Sequence, residues 1–219
     1  MSKKPIIVFE GIEATGKSHH INNVAKFLRK KNIKFIQIRE PGGNKNSETI
    51  RKLILDRKST FNKYTDLLLY LAARSENIEM IKKNSGIKII LIDRFSDSTV
   101  AYQHYGMGVN LKLIKNINDY LLKGINIDFT FLNIVNQENM KKRLMKRKKL
   151  NRYDKFDNSF YNKVQKGFIK IFKTNPKKYM KIDSNLNINH NEEIILKKKL
   201  IPYNCVFFEG FNSMFRSNQ

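Results

Sequence analysis

The chain has 219 residues and a formal net charge of +24, from 43 Lys and Arg against 19 Asp and Glu. That length suits one domain with a core of its own, and a single cysteine, Cys205, excludes an intramolecular disulfide and fits a reducing compartment. The first apolar run stops at Glu10, too short for a signal peptide, and no stretch approaches the ~20 apolar residues of a membrane span, so a soluble cytoplasmic protein is expected.

The first predicted element is a strand over Ile6–Phe9, apolar on both faces. It runs into Gly11, four residues, then Gly16, Lys17 and Ser18, the spacing of a phosphate-binding loop. The chemistry explains the residue types. Glycines let backbone N–H groups converge on an anion, a lysine reaches the β and γ phosphates, and the Ser18 hydroxyl can ligand Mg²⁺. The helix that follows aims its positive end at the same point. Its apolar residues Ile21, Val24, Ala25 and Leu28 recur at i, i+3, i+4 and i+7, one helical face. Strand, loop and helix in that order predict a site for a nucleoside triphosphate.

Further strands are expected at Phe35–Ile38, Ile87–Ile92, Asp128–Asn133 and Tyr179–Ile182. Between them lie a turn at Arg39-Glu40-Pro41-Gly42-Gly43, a mostly helical stretch over 47–83, and a helix from Asp97 interrupted at Gly106–Gly108. A basic helical stretch over Gln137–Lys149, an amphipathic helix over Phe160–Phe172 and a last helix over Glu192–Leu200 complete the pattern. Strands alternating with helices predict an α/β domain, a doubly wound five-stranded parallel sheet flanked by helices. One domain is expected over 1–200. Residues 201–219 shift in composition and form a tail of unknown role.

The charge invites a nucleic-acid reading. Its make-up argues against one. Of the basic residues 33 are Lys, scattered along the chain beside 26 Asn, whereas seven of the ten Arg fall inside motifs: Arg39, Arg51, Arg74, Arg94, Arg143, Arg147 and Arg152. Arginine is the side chain suited to a two-pronged grip on phosphate. No specific nucleic-acid partner is expected.

Those motifs carry a resemblance. Phe9-Glu-Gly-Ile-Glu-x-x-Gly-Lys-Ser18, Arg39-Glu-Pro-Gly-Gly43, Ala72-Ala-Arg74, Asp93-Arg-Phe95 and Ser98-Thr-Val-Ala-Tyr-Gln103 together resemble the thymidylate kinase family, bacterial type, over about residues 5–200. The resemblance implies the P-loop NTPase fold with a short lid over about 141–156, and phosphoryl transfer from ATP to dTMP with Mg²⁺, usually in a homodimer. The alternatives are another P-loop nucleoside or nucleotide kinase, or a nucleic-acid-binding ATPase.

It also implies roles for single residues. The acceptor is a phosphate monoester with a second pKa of about 6, mostly dianionic at neutral pH. It needs positive charge rather than a general base. Gly11, Ala14, Thr15, Gly16, Lys17, Ser18 and His19 would bind ATP with Arg143. Lys17, Arg94, Arg147 and Arg152 would act on the transferring group, the last two from the lid. Arg51 and Arg94 match positions that hold the dTMP phosphate, although Arg51 alone could equally pair with Asp56 or Glu48 on its helix. Asp93 matches the acidic partner of the Mg²⁺ shell beside Ser18, or caps the turn after its strand. Tyr70 would stack on thymine, though an aromatic within Leu67–Ala73 also suits the core. Arg74 would reach O4, Thr99 and Gln103 would lie near N3, Tyr102 would crowd the 2′ position, and Glu13 would accept from the 3′-OH. The basic run 141–152 is otherwise a solvated helix face. His19 departs from the family, which has Thr there, and Ala14 and Thr15 leave the loop without an arginine.

Overall fold

A computed structural model describes residues 3–147 and 151–197. The tail at 201–219, Cys205, the middle of the expected lid (Lys148, Lys149 and Leu150) and the expected end of the last helix at Leu200 lie outside the described residues.

Five strands form one all-parallel sheet: β1 (Ile6–Glu10), β2 (Phe35–Arg39), β3 (Ile89–Asp93), β4 (Phe129–Ile134) and β5 (Tyr179–Asp183), in the order β2-β3-β1-β4-β5. All five fall where the apolar runs place them. β3 starts two residues later than expected because Ile87 is two-thirds exposed and stands outside the sheet. β1 is central, pairing Phe9 with Asp93 on one side and Phe131 on the other.

The helices are α1 (Lys17–Lys30), α2 (Lys45–Leu55), α3 (Lys63–Asn84), α4 (Ser96–Gly106), α5 (Leu111–Leu121), α6 (Gln137–Met145), α7 (Asn158–Thr174) and α8 (Ile188–Lys197), with a 3-10 turn at Arg152–Lys155. The expected helical stretch over 47–83 is two helices, divided where Asn62 starts a new one. Both faces of the sheet are covered, which is why the inner strands β1 and β3 read as unbroken apolar runs of four residues. On one face Ile7, Phe9, Leu91 and Phe131 meet the α1 stripe Ile21, Val24, Ala25 and Leu28. On the other, Ile6, Val8, Ile90 and Ile92 meet Ile78 and Ile81 of α3 and Phe95.

The abundant asparagine has a local use. Asn44, Asn62, Asn110 and Asn136 cap α2, α3, α5 and α6, and Asn151 begins the 3-10 turn in a capping box with Asp154. Each side-chain oxygen takes a backbone N–H that the helix itself leaves unpaired. The second half of α4, Val100–Gly106, is a π-helix, with Met107 N bonded to Tyr102 O at 2.9 Å. The wide turn sets Tyr102 and Gln103 side by side on the site, an arrangement that helical periodicity in the sequence does not announce.

Candidate active site

The site opens at the C-terminal ends of β1 and β3, where the strand order turns from one side of β1 to the other. After Glu10 the chain curls through the phosphate loop. A Cβ on Gly11 would stand 2.3 Å from the Asn133 carbonyl oxygen of β4, so the loop can rest on β4 only with glycine there. Ala14 and Gly16 take positive φ and bring the chain round into α1.

Lys17 is buried and folds over the loop. Its Nζ donates to Gly11 O at 2.9 Å, Ile12 O at 2.6 Å and Thr15 Oγ1 at 3.2 Å. Burial, and after it the charge of Arg94, pushes its ammonium down to about 7. Ser18 Oγ donates to Asp93 Oδ2 at 3.0 Å, so a hydroxyl and a carboxylate oxygen meet at the loop's end. Such hard oxygen donors fit Mg²⁺, which takes one or two carboxylates and otherwise water and phosphate. Among the described residues no group of three or more His, Cys, Asp or Glu could hold a metal by itself. His19 bonds Asn23 at 2.8 Å and stands 3.5 Å from Glu192. Arg143 of α6 bonds Ala14 O at 3.1 Å and Ser184 O at 2.6 Å, which ties α6 to the loop.

Facing the loop is Arg94, in left-handed backbone after β3. It bonds Gly11 O at 2.8 Å and Glu13 Oε1 at 2.9 Å and lies over the Tyr102 ring at 5.1 Å. The Tyr102 hydroxyl donates to the other oxygen of Glu13. Burial alone would raise the Glu13 carboxyl, but Arg94 and Lys17, with the Tyr102 bond, hold it below the usual carboxylate range. Arg51 donates to Pro41 O at 2.6 Å, while Glu48 is taken by Arg39 in a two-pronged pair at 2.8 and 3.0 Å. Arg51 therefore turns to the cavity and not to its helix neighbours.

The far end is polar and closed. Arg74, only 2% exposed, spends its three nitrogens on Glu40 (2.8 Å), Asn118 (2.7 Å) and Thr99 (2.9 Å). Gln103 Nε2 donates to Asp66 at 3.3 Å, and Tyr70 meets the Tyr153 ring edge-on. One cavity of about 470 Å³ joins these parts, lined by the loop from Glu13 to His19 and by Arg51, Tyr70, Arg74, Asp93, Arg94, Thr99, Tyr102, Gln103, Arg143 and Arg147. Gly11, which starts the loop, is not among the lining residues. Arg152 alone among the expected arginines is outside the lining: it pairs with Asp66 and packs over Phe61 and Tyr153. Arg147 pairs with Asp154 at 2.9 Å.

Three acids escaped the sequence reading. Glu40 and Glu10 sit inside motifs that were read for their neighbours; Glu10 takes Phe95 N, Ser98 N and Ser98 Oγ and so fixes the turn that carries Arg94. Asp66 gave no signal, because an acid in a first helical turn is ordinary.

A phosphate loop leading from the central strand of a parallel sheet, with room beside it for a second polar ligand, defines a P-loop NTPase fold built to hold two substrates. The family model described as thymidylate kinase matches residues 9–195. Proteins named thymidylate kinase are 34% identical over 184 residues in a Thermoanaerobacter species, covering 83% of this chain and 90% of that one. In a Sulfurihydrogenibium species the figures are 35% over 193 residues, 87% and 94%. The crystal structure of thymidylate kinase from Ehrlichia chaffeensis matches with a TM-score of 0.71 at 31% identity, covering 89% of this chain and 97% of that one. The chain belongs to the thymidylate kinase family.

Proposed function

We propose that this chain transfers the γ-phosphoryl group of ATP to dTMP, giving ADP and dTDP, a step toward dTTP. The observation that carries the reading is the single cavity in which a phosphate loop faces a recess of base-sized polar groups. The bond from the γ-phosphorus to its bridging oxygen breaks, and one forms to an oxygen of the dTMP phosphate. No proton needs to move, so the protein's task is to align two polyanions and meet the charge of the transferring group.

Lys17 would exchange its carbonyl partners for the β and γ phosphates, and Arg143 would steady the loop around ATP with Ala14, Thr15 and His19. Ser18 and Asp93 would hold Mg²⁺, which supplies charge neutralisation across the phosphates. Arg51 and Arg94 would grip the dTMP phosphate, with Arg94 between acceptor and loop. Glu13 would take the 3′-OH and Tyr102 would close the 2′ side. Tyr70 would face the base, Arg74 O4, and Thr99 and Gln103 N3. Arg147, already lining the cavity, would reach the transferring group first, and Arg152 after leaving Asp66. The reading extends to a cytoplasmic homodimer, in keeping with Tyr64 and Leu68 standing half-exposed one turn apart on α3 and with no described helix long and apolar enough to cross a membrane.

Coupled ADP production with dTMP, dUMP, dCMP and thymidine tests the assignment. Turnover highest with dTMP is expected. A clear preference for thymidine or dCMP overturns it.

A further inference from the structure

Asp66, in the first turn of α3, is 1% exposed and receives three side-chain donors from two other elements. Tyr153 Oη donates to Oδ2 at 2.5 Å, Arg152 pairs with Oδ1, and Gln103 Nε2 donates to Oδ2 at 3.3 Å. Every partner is a donor, which is what an ionised carboxylate demands. The consequence falls on Gln103. An amide has one donor end and one acceptor end of nearly the same shape, and only its neighbours decide which way it faces. Turned the other way, the Gln103 carbonyl oxygen would meet a buried anion. Its Nε2 is therefore committed to Asp66, and among the described residues no hydrogen bond takes its Oε1. Gln103 is itself buried and lines the cavity.

We propose that Asp66 is a specificity-determining positioning residue. By holding the Gln103 amide in one orientation, it makes the site present a hydrogen-bond acceptor to ring N3 of the base. A 2,4-dioxopyrimidine carries N–H there and pairs; a 4-aminopyrimidine carries a lone pair and is repelled. Arg74 sets the other half of the edge, since a guanidinium has only donors and favours an exocyclic oxygen at C4 over an amine. The two residues are held by different acids, Gln103 by Asp66 and Arg74 by Glu40, so the two halves of the choice are separable. A site whose buried groups are left unpaired or opposed by the wrong ligand discriminates far better than one that relies on shape.

The inference rests on the placement of the base beside Gln103 proposed above, and the test separates the two. kcat/KM is measured for dTMP and for 5-methyl-dCMP, which differ only at C4 and N3, in the wild type, Asp66→Asn and Gln103→Leu. Asp66→Asn is nearly isosteric but lets the Gln103 amide turn. The dTMP preference is expected to narrow roughly tenfold or more in both variants, while remaining above unity through Arg74. A purely structural role for Asp66 lowers both substrates together and leaves the ratio where it was. A ratio unchanged in Asp66→Asn but narrowed in Gln103→Leu overturns the proposal and leaves the base placement standing. A ratio unchanged in both overturns the placement as well. Thermal melting checks that the variants fold; if Asp66→Asn does not, Asp66→Ser is read by the same two outcomes.

Discussion

The cations that rest against the phosphate loop and two arginines farther along the chain, Arg147 and Arg152, are held in different ways. Lys17 and Arg143 rest on neutral acceptors: carbonyls of Gly11, Ile12, Ala14 and Ser184 and the Thr15 hydroxyl. Arg147 and Arg152 rest on carboxylates, those of Asp154 and Asp66, each 1% exposed at the side chain. A phosphate entering the loop competes with neutral hydrogen bonds, whereas one approaching the lid competes with ion pairs, in which each hydrogen bond is roughly twice as strong. Loop charges are thus available on binding. In the role proposed for them, Arg147 and Arg152 would become available only when a stronger competitor, such as the triphosphate and acceptor together, draws them off. The partners that the cations already have would then set the order in which they are drawn to phosphate.

The largest expected effect breaks the loop side. Lys17→Ala should remove nearly all turnover, since Lys17 is the cation that the loop itself supplies to the β and γ phosphates. Its melting temperature should stay close to wild type, because Lys17 is a buried cation with a depressed pKa and makes a poor core residue. Substantial dTMP-dependent turnover in that variant would contradict the assignment of the loop.

The lid side is sharpened by conservative swaps. Arg147→Lys and Arg152→Lys keep the charge and lose the planar fork. If the fork acts on the transferring group, kcat falls by at most ~10³-fold while KM for ATP and dTMP changes little. Arg147 should show the larger loss, because it lines the cavity and Arg152 must first leave Asp66. Unchanged kcat with a lowered melting temperature in Arg152→Lys would make that residue a structural partner of Asp66 alone.

Much of this was legible in the chain. The two middle strands β1 and β3 are buried on both faces and short, so four or five apolar residues between turn signals suffice to mark them, and the half-exposed edge strands β2 and β5 keep enough apolar residues to be read. The phosphate loop was legible because its residue types and its flanking strand and helix agree. What could not be read was pairing at a distance. Nothing near Arg152 points to Asp66, 86 positions earlier, and nothing near Arg74 says that Glu40, Asn118 and Thr99 converge on it. The π-turn of α4 was hidden because one extra residue per turn does not disturb an apolar pattern over seven residues. Asparagine caps four helices and the 3-10 turn, a use that its abundance does not announce, since capping depends on where a helix begins.

A smaller effect concerns the sugar. Tyr102 bonds Glu13, covers Arg94 and packs edge-on against Tyr153, Phe160 and Phe168. Tyr102→Ala should relax discrimination between dTMP and its ribonucleotide analogue, whereas Tyr102→Phe, which keeps the ring, should preserve it. Equal preference in all three proteins would make Tyr102 packing alone.

The smallest expected effect is a fraction of a proton. With its ammonium pushed down to about 7, Lys17 is mostly neutral at pH 8 and mostly charged at pH 6. Triphosphate favours the charged form, so ATP binding at pH 8 should take up protons and at pH 6 should take up almost none, with affinity falling as pH rises past 7. Titration calorimetry in buffers of different ionisation enthalpy reads the uptake, and Lys17→Ala should lack it.

If one cavity joins ATP to dTMP, the two products must form in step, and their stoichiometry reads this without any variant. Wild-type protein, ATP, Mg²⁺ and dTMP are followed by chromatography of all four nucleotides through one time course. One dTDP for each ADP, no ADP without dTMP, and no stimulation by DNA are expected. ADP formed without dTDP, or accelerated by DNA, would contradict it.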